Sequence, residues 1–256
     1  MSASTERVRL RIFGEERELA LPVIPDRAAL GDLLPVARAL SEQATRMAVE
    51  RERREGREVS CREGCAACCR QLVPISVIEA RALSRVVEGL PDEHRERVRA
   101  RFALAVKRLE EIGLLDSRSP PGRMVLKSAA ADPRAGWGEV VARYWAAQIP
   151  CPLLGGERCS VYEDRPLVCR EYLATTPRER CASLDGVQAV PRGLSGSEVL
   201  ATAARNFTGE TWPMLPLVLA LEWTRAMGRS LDAESEGENL FNHLIAAADE
   251  VVESER

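Results

Sequence analysis

Eight cysteines in two groups restrict this chain more than any other feature of its 256 residues. The first group reads Cys61-Arg62-Glu63-Gly64-Cys65-Ala66-Ala67-Cys68-Cys69-Arg70. The second consists of Cys151, Cys159, Cys169 and Cys181, spaced at eight, ten and twelve residues, and the stretch from Arg70 to Pro150 has none. A buried cysteine behaves as a small hydrophobe, which accounts for one or two scattered residues but not for this grouping. Clustered thiols in an intracellular chain instead bind metal or do redox work.

The residues between the cysteines suit a metal. Two thiolates separated by two residues can turn toward one ion while the intervening N–H groups bond to sulfur. Gly64 permits a tight turn, and Ala66 and Ala67 keep bulk away. Gly155-Gly156 lets Cys151 and Cys159 double back toward each other. Arg70 and Arg170 each follow a cysteine directly, where a guanidinium offsets the surplus negative charge of several thiolates. All eight cysteines, Cys61, Cys65, Cys68, Cys69, Cys151, Cys159, Cys169 and Cys181, are therefore candidate ligands. A site shared by both groups must clamp segments 82 positions apart, from Cys69 to Cys151. Adjacent Cys68 and Cys69 leave the backbone in different directions and are not expected to share one ion. They serve two sites, or one of them is a redox-active thiol beside a metal; one site or two stays open.

Hydrophobic content of 45% and charged content of 29% describe an ordinary globular chain, and 256 residues suffice for one sizeable core. Aromatics are only 4%, so the core must be built from Leu, Val, Ile and Ala, which suits helices. A net charge of -3 predicts no nucleic-acid partner. Lys107 and Lys127 are the only lysines, a bias we assign to codon usage in a GC-rich genome. Met1 to Arg11 mixes charges with apolar residues, so no secretory leader is expected. The longest apolar stretch, Trp212 to Leu221, is broken by Pro213 and Pro216 and falls short of the roughly 20 residues of a membrane span. A cytoplasmic protein without membrane contact is the expectation, and there thiols stay reduced.

Periodicity predicts a mainly α, single helical domain organised around a cysteine-ligated metal site, with a short N-terminal β-hairpin. Val8, Leu10 and Ile12 alternate with arginines, and Gly14-Glu15 turns the chain into a strand carrying Leu19, Leu21 and Val23. A helix follows Asp32 with Leu33, Ala37, Leu40, Ala44 and Met47 on one face, and its charged tail from Glu50 to Glu58 reads as solvated. Ser76 and Glu79 form a capping box opening a helix through Val87. Pro91 fits the first turn of the next, with Val98, Phe102, Ala105, Leu109 and Ile112 inward. Ser117 to Gly136 reads as a loop and Val140 to Gln148 as a helix. Ser195 and Glu198 repeat the capping box, and helices cover Leu215 to Met227 and Leu240 to Val252. We divide the chain into a hairpin and helix (1–60), the cysteine region (61–181) and C-terminal helices (182–256) packed in the same domain.

The sequence resembles the YkgJ-type cysteine-cluster proteins, also called the CxxCxxCC family of zinc- or iron-chelating domains. The resemblance lies in Gly64-Cys65-Ala66-Ala67-Cys68-Cys69-Arg70, in Cys151-Pro152-Leu153-Leu154, and in Cys159 to Arg170 with Tyr162, Asp164, Arg165 and Pro166. It covers about half the chain. Three residues, where the family label has two, separate Cys61 from Cys65. A similar cluster occurs in flagellin lysine methylases, where it resembles an iron–sulfur site, but the rest of this chain does not follow them. The resemblance implies a metal ion or cluster as the bound partner.

Thiolate zinc sites usually come from two close cysteine pairs, and this chain has one, Cys65 and Cys68. Three close cysteines plus a remote one suit a [4Fe–4S] cluster, so an iron–sulfur cluster is preferred over zinc. His243 falls opposite the Phe241, Leu244, Ile245 and Ala248 face, and His94 lies in a charged first turn; both read as solvated. The spacing Cys61-x3-Cys65-x2-Cys68 equals that of radical S-adenosylmethionine enzymes, but these need a repeated βα barrel and an aromatic residue where Ala67 stands. No phosphate loop, nucleophile elbow or zinc-protease helix is present. Tyr162, Asp164 and Arg165 read as residues that orient thiolates and neutralise their charge, with Arg70 and Arg170 beside them. Three functions follow: a metal-binding module, an iron–sulfur enzyme that modifies a protein substrate, and a thiol–disulfide redox protein. Whether the chain is an enzyme is left undecided.

Overall fold

A computed structural model describes residues 4–115, 133–183, 186–209 and 214–254. Strands β1 (Thr5–Ile12) and β2 (Glu15–Pro22) form an antiparallel hairpin in which Ile12 faces Glu15. The two turn residues are Phe13 and Gly14, both at positive φ, one position earlier than the sequence suggests. Positive φ at both centres is what a tight hairpin turn demands. Leu10, Ile12, Leu19 and Leu21 point into the core, whereas Val23 lies beyond β2 and is exposed. A short strand β3 (Arg27–Ala29) then leads into helix α1 (Leu33–Arg54).

The expected face of α1 is buried, and the burial continues to Glu52. There the solvated-tail reading fails: Glu52 is almost fully enclosed and holds Arg57 in an ion pair. Strand β4 (Pro74–Ser76) precedes α2 (Val77–Glu88), whose capping box closes as expected between Ser76 and Glu79. Helix α3 (Asp92–Glu111) starts just after Pro91, which stands at the cap and not within the first turn. Positions 117–132 of the expected loop lie outside the described residues, and its last four residues already belong to α4 (Pro133–Ala146). A proline at the first helical position is favourable, since its missing N–H has no partner there anyway.

The second cysteine group follows on short elements: β5 (Leu154–Gly155), β6 (Arg158–Cys159), α5 (Leu167–Glu171) and α6 (Arg178–Cys181). The remaining elements are α7 (Gly196–Thr208), β7 (Met214–Pro216), α8 (Ala220–Met227), β8 (Glu234–Glu236) and α9 (Gly237–Ser254). The helix expected from Leu215 therefore begins at Ala220. Leu215 and Pro216 pair with Ile75 and Pro74 of β4, and Leu217 N–H donates to the Val73 carbonyl. A proline in a two-stranded ribbon costs no ladder bond on its open edge. Strand β8 pairs with β3 in the same way, so two brief ribbons tie distant helix starts together.

Helix α7 packs against α9, α1 and α2, and α2 also packs on α8. One hydrophobic core runs from Leu10 to Val251, dominated by Leu, Val, Ile and Ala. It also takes in Tyr144, Ile149, Leu153, Val161 and Leu167, and so supports the segments that carry the second cysteine group. Among the described residues no helix is long and apolar enough to cross a membrane.

Candidate metal centre

The first cysteine group folds as a run of tight turns. Gly64 takes a left-handed φ of 81°, the freedom its sequence position required. Cys65 N–H donates to the Arg62 carbonyl, Cys69 N–H to Ala66 and Gln71 N–H to Cys68. These turns hold Cys65, Cys68 and Cys69 on one side of the loop, facing a common cavity.

The second group reaches the same place by a hairpin and a helix. Gly156 and Glu157, at φ 58° and 59°, turn β5 into β6 so that Leu154 faces Cys159. From α3, Arg101 donates to the Leu154 carbonyl at 2.6 Å and fixes the hairpin. The two groups are then stitched directly together. Cys151 N–H donates to the Cys69 carbonyl at 2.7 Å, and Ala174 N–H to Cys61 Sγ at 3.3 Å. Ser60 binds the Ala174 carbonyl through its N–H and both the Ala174 and Thr176 carbonyls through its hydroxyl. Gln71 donates to the Cys181 carbonyl.

Helix α5, which carries Cys169, is held by a buried carboxylate at each end. Glu79 accepts from Leu167 N–H at 2.7 Å, and also from the N–H and hydroxyl of Ser76. Glu171 accepts from Ser197 N–H and from the hydroxyls of Ser195 and Ser197 at the start of α7. Burial pushes the Glu79 carboxyl above its usual range, while these donors act to lower it. Neither long-range role is legible in the sequence. Glu79 was read only as half of a local capping box, and Glu171 carries no motif at all.

Seven of the eight cysteines, all but Cys181, line one cavity of about 340 Å³. Cys181 is buried beside them at the end of α6. All eight are free thiols. Burial raises the pKa of Cys61, Cys159, Cys169 and Cys181, and it lifts Cys151 to about 12. The Cys68 thiol is raised first by its hydrogen bond with Cys69 and then by burial. The charge of neighbouring cysteines adds to each of these shifts. Among the described residues no three His, Cys, Asp or Glu side chains stand close enough to hold a single ion as they are.

The arginines divide. Arg165 lines the cavity, stacks its guanidinium 3.8 Å over the Tyr162 ring, and favours the thiolate forms of Cys68 and Cys159. Its Nε is buried and has no hydrogen-bond partner among the described residues. Arg70 instead forms a 3.2 Å ion pair with Glu157 at the hairpin tip. Arg170 donates to the carbonyls of Arg165 and Glu163 and so fixes the turn that presents Arg165. Asp164 faces Arg38. Neither histidine lines the cavity. His94 is half-buried on α3, and His243, read as solvated, packs edge-on against Phe207.

These residues fit a thiophilic metal group. The donor set is soft sulfur throughout, which suits zinc, iron and iron–sulfur clusters. Clustered thiols that repel one another's charge ionise most readily when a cation enters among them. The partnerless Arg165 Nε beside them is a buried donor suited to an anionic acceptor such as a metal-bound sulfur. A family model described as "CxxCxxCC: Putative zinc- or iron-chelating domain" matches residues 60–188, just over half of the chain. No curated protein and no solved structure matches it. The cysteine spacing, the shared cavity and this match lead to one identification: the chain belongs to the CxxCxxCC family of zinc- or iron-chelating domains.

Proposed function

We propose that the chain is a metal-binding protein that holds iron, as an iron–sulfur cluster, through the thiolates of its two cysteine groups. The observation that carries this reading is the convergence of seven cysteines from segments 60 to 70 and 150 to 170 on one cavity. What favours a cluster over zinc is the cysteine spacing. Thiolate zinc sites usually come from two close pairs, and this chain has one, Cys65 and Cys68. Three close cysteines with remote ones added suit a [4Fe–4S] cluster. Cys61, Cys65, Cys68, Cys69, Cys151, Cys159, Cys169 and Cys181 form the ligand pool, and Arg165 offsets its charge. When bound, the cluster would supply one-electron redox capacity or a purely structural clamp. The free thiols fit a reducing, cytoplasmic setting, and segments 1–60, 61–181 and 182–256 act as one domain around the site.

Protein purified without oxygen is expected to be brown, with a broad absorbance near ~400 nm from thiolate-bound iron and with iron and sulfide in comparable amounts. Colourless protein with stoichiometric zinc would replace iron by zinc and leave the metal reading standing. Protein with neither metal would remove the reading altogether.

Arg165→Ala should release metal to a chelator more readily than Arg229→Ala, an exposed control far from both groups in sequence. Supporting residues of this kind typically contribute roughly 10- to 100-fold in metal affinity. Equal retention in the two variants would show that Arg165 serves something other than the thiolates.

A further inference from the structure

Eight thiols are twice what one centre takes, because both a structural zinc ion and a [4Fe–4S] cluster bind four. Burial as core hydrophobes does not absorb the surplus, since every cysteine except Cys181 is only half-buried and lines one cavity. The eight also sort by position. Cys151, Cys159 and Cys169 sit at the end backed by the core: Cys151 and Cys159 pack on its hydrophobic cluster, and Cys169 lies on α5 between Glu79 and Glu171. All three line the same cavity as Cys68.

Cys61, Cys65 and Cys181 gather at the other end. Cys61 and Cys65 also line an open cleft beside Arg178 and Glu179 of α6, the helix that ends on Cys181. Gln71, three residues after Cys68, donates to the Cys181 carbonyl and ties the end of α6 to the first cysteine group. Cys68 and Cys69, adjacent in the chain, line the cavity that Cys61 and Cys65 share with Cys151, Cys159 and Cys169. Adjacent residues direct their side chains differently, so a vicinal pair suits two neighbouring centres better than one.

We infer that the chain holds two four-thiolate centres, an inner one on Cys151, Cys159 and Cys169 and an outer one on Cys61, Cys65 and Cys181, with Cys68 and Cys69 each completing one. This rests on the metal-binding reading above and goes beyond it in number and assignment. The outer centre borders the open cleft, so it is the one a partner or an incoming metal reaches first.

The test is metal content per folded chain, measured on anaerobically reconstituted wild type and on two double variants, Cys159→Ser/Cys169→Ser and Cys61→Ser/Cys181→Ser. Two centres require about eight iron per wild-type chain, or about two zinc if zinc is the metal. Each double variant should keep about half of that. A wild type saturating at about four iron or one zinc, or a double variant that empties completely while its circular dichroism stays helical, would overturn the inference and leave a single-centre metal protein. If a variant fails to fold, the wild-type stoichiometry decides alone. A wild type that takes up neither metal removes the metal-binding reading itself, an outcome distinct from one centre.

Discussion

Stripping the metal is expected to unfold the cysteine region, and Cys169→Ser should reproduce most of that loss. On the two-centre proposal, the inner triad would tie residues 151 to 169 to the Cys68–Cys69 pair, across an 82-position gap in sequence. Closing so long a loop costs about 4 kcal/mol in chain entropy. Little regular structure opposes that cost locally: β5 and β6 have two residues each, and α5 has five. Metal–thiolate bonds offset it, since structural thiolate sites contribute on the order of 10 kcal/mol to folding. That equals the net stability of a whole domain. Melting followed by circular dichroism should therefore drop sharply on chelation and in Cys169→Ser. It should drop less in Cys65→Ser, whose centre lies at the open cleft. In metal-free protein both substitutions should be nearly silent, because they then exchange only one small side chain for another. A melting curve unchanged by chelation would mean that the packed core alone holds the fold.

Much of the architecture was legible because it rests on local chemistry. The hairpin followed from alternation at Leu10, Ile12, Leu19 and Leu21, and α1 from apolar residues recurring at helical spacing. The two helix starts at Ser76 and Ser195 followed from short-range capping. Two errors come from pairing between residues distant in sequence. Leu215 and Pro216 looked like the beginning of an apolar helix, but β4 claims them as a strand, and His243 faces Phe207 of α7. Glu52 looked solvated because its neighbours are charged, yet it is buried and pairs locally with Arg57.

The site was legible in composition and not in construction. Gly64 marked a tight turn, whereas the hairpin turn falls on Gly156 and Glu157, one residue later than Gly155-Gly156. Cysteine spacing singled out residues that the structure gathers round one cavity. What holds them could not be read, because it is backbone. The Cys69 carbonyl, the Ala174 N–H and the Ser60 latch have no residue-type signature. Of the three arginines, Arg165, four residues before Cys169, lines the cavity, while Arg70 pairs with Glu157 and Arg170 donates to the carbonyls of Arg165 and Glu163.

Glu79→Ala should be among the most damaging substitutions outside the cysteines, although its sequence context matches that of Glu198. Both occupy the fourth position of a Ser-x-x-Glu motif. Glu198 is partly exposed and pairs with Arg192, so Glu198→Ala should cost about 1 kcal/mol or less. Glu79 is buried, and it receives Ser76 N–H at 2.9 Å and Leu167 N–H at 2.7 Å. Truncation leaves both donors enclosed without an acceptor, at roughly 1–3 kcal/mol each. The Ser76 hydroxyl can turn elsewhere and adds less. A loss on the order of 4 kcal/mol is therefore expected in urea unfolding. Ser76→Ala, which removes only the hydroxyl, should cost about 1 kcal/mol. The two variants should also differ in metal retention. Glu79 anchors the first turn of α5, two residues ahead of Cys169, so Glu79→Ala should release metal to a chelator faster than wild type at a temperature where both are folded. Ser76→Ala, which leaves the bond to Leu167 in place, should retain metal as wild type does. Equal retention in all three would confine Glu79 to a stabilising role and leave the position of Cys169 to the backbone alone.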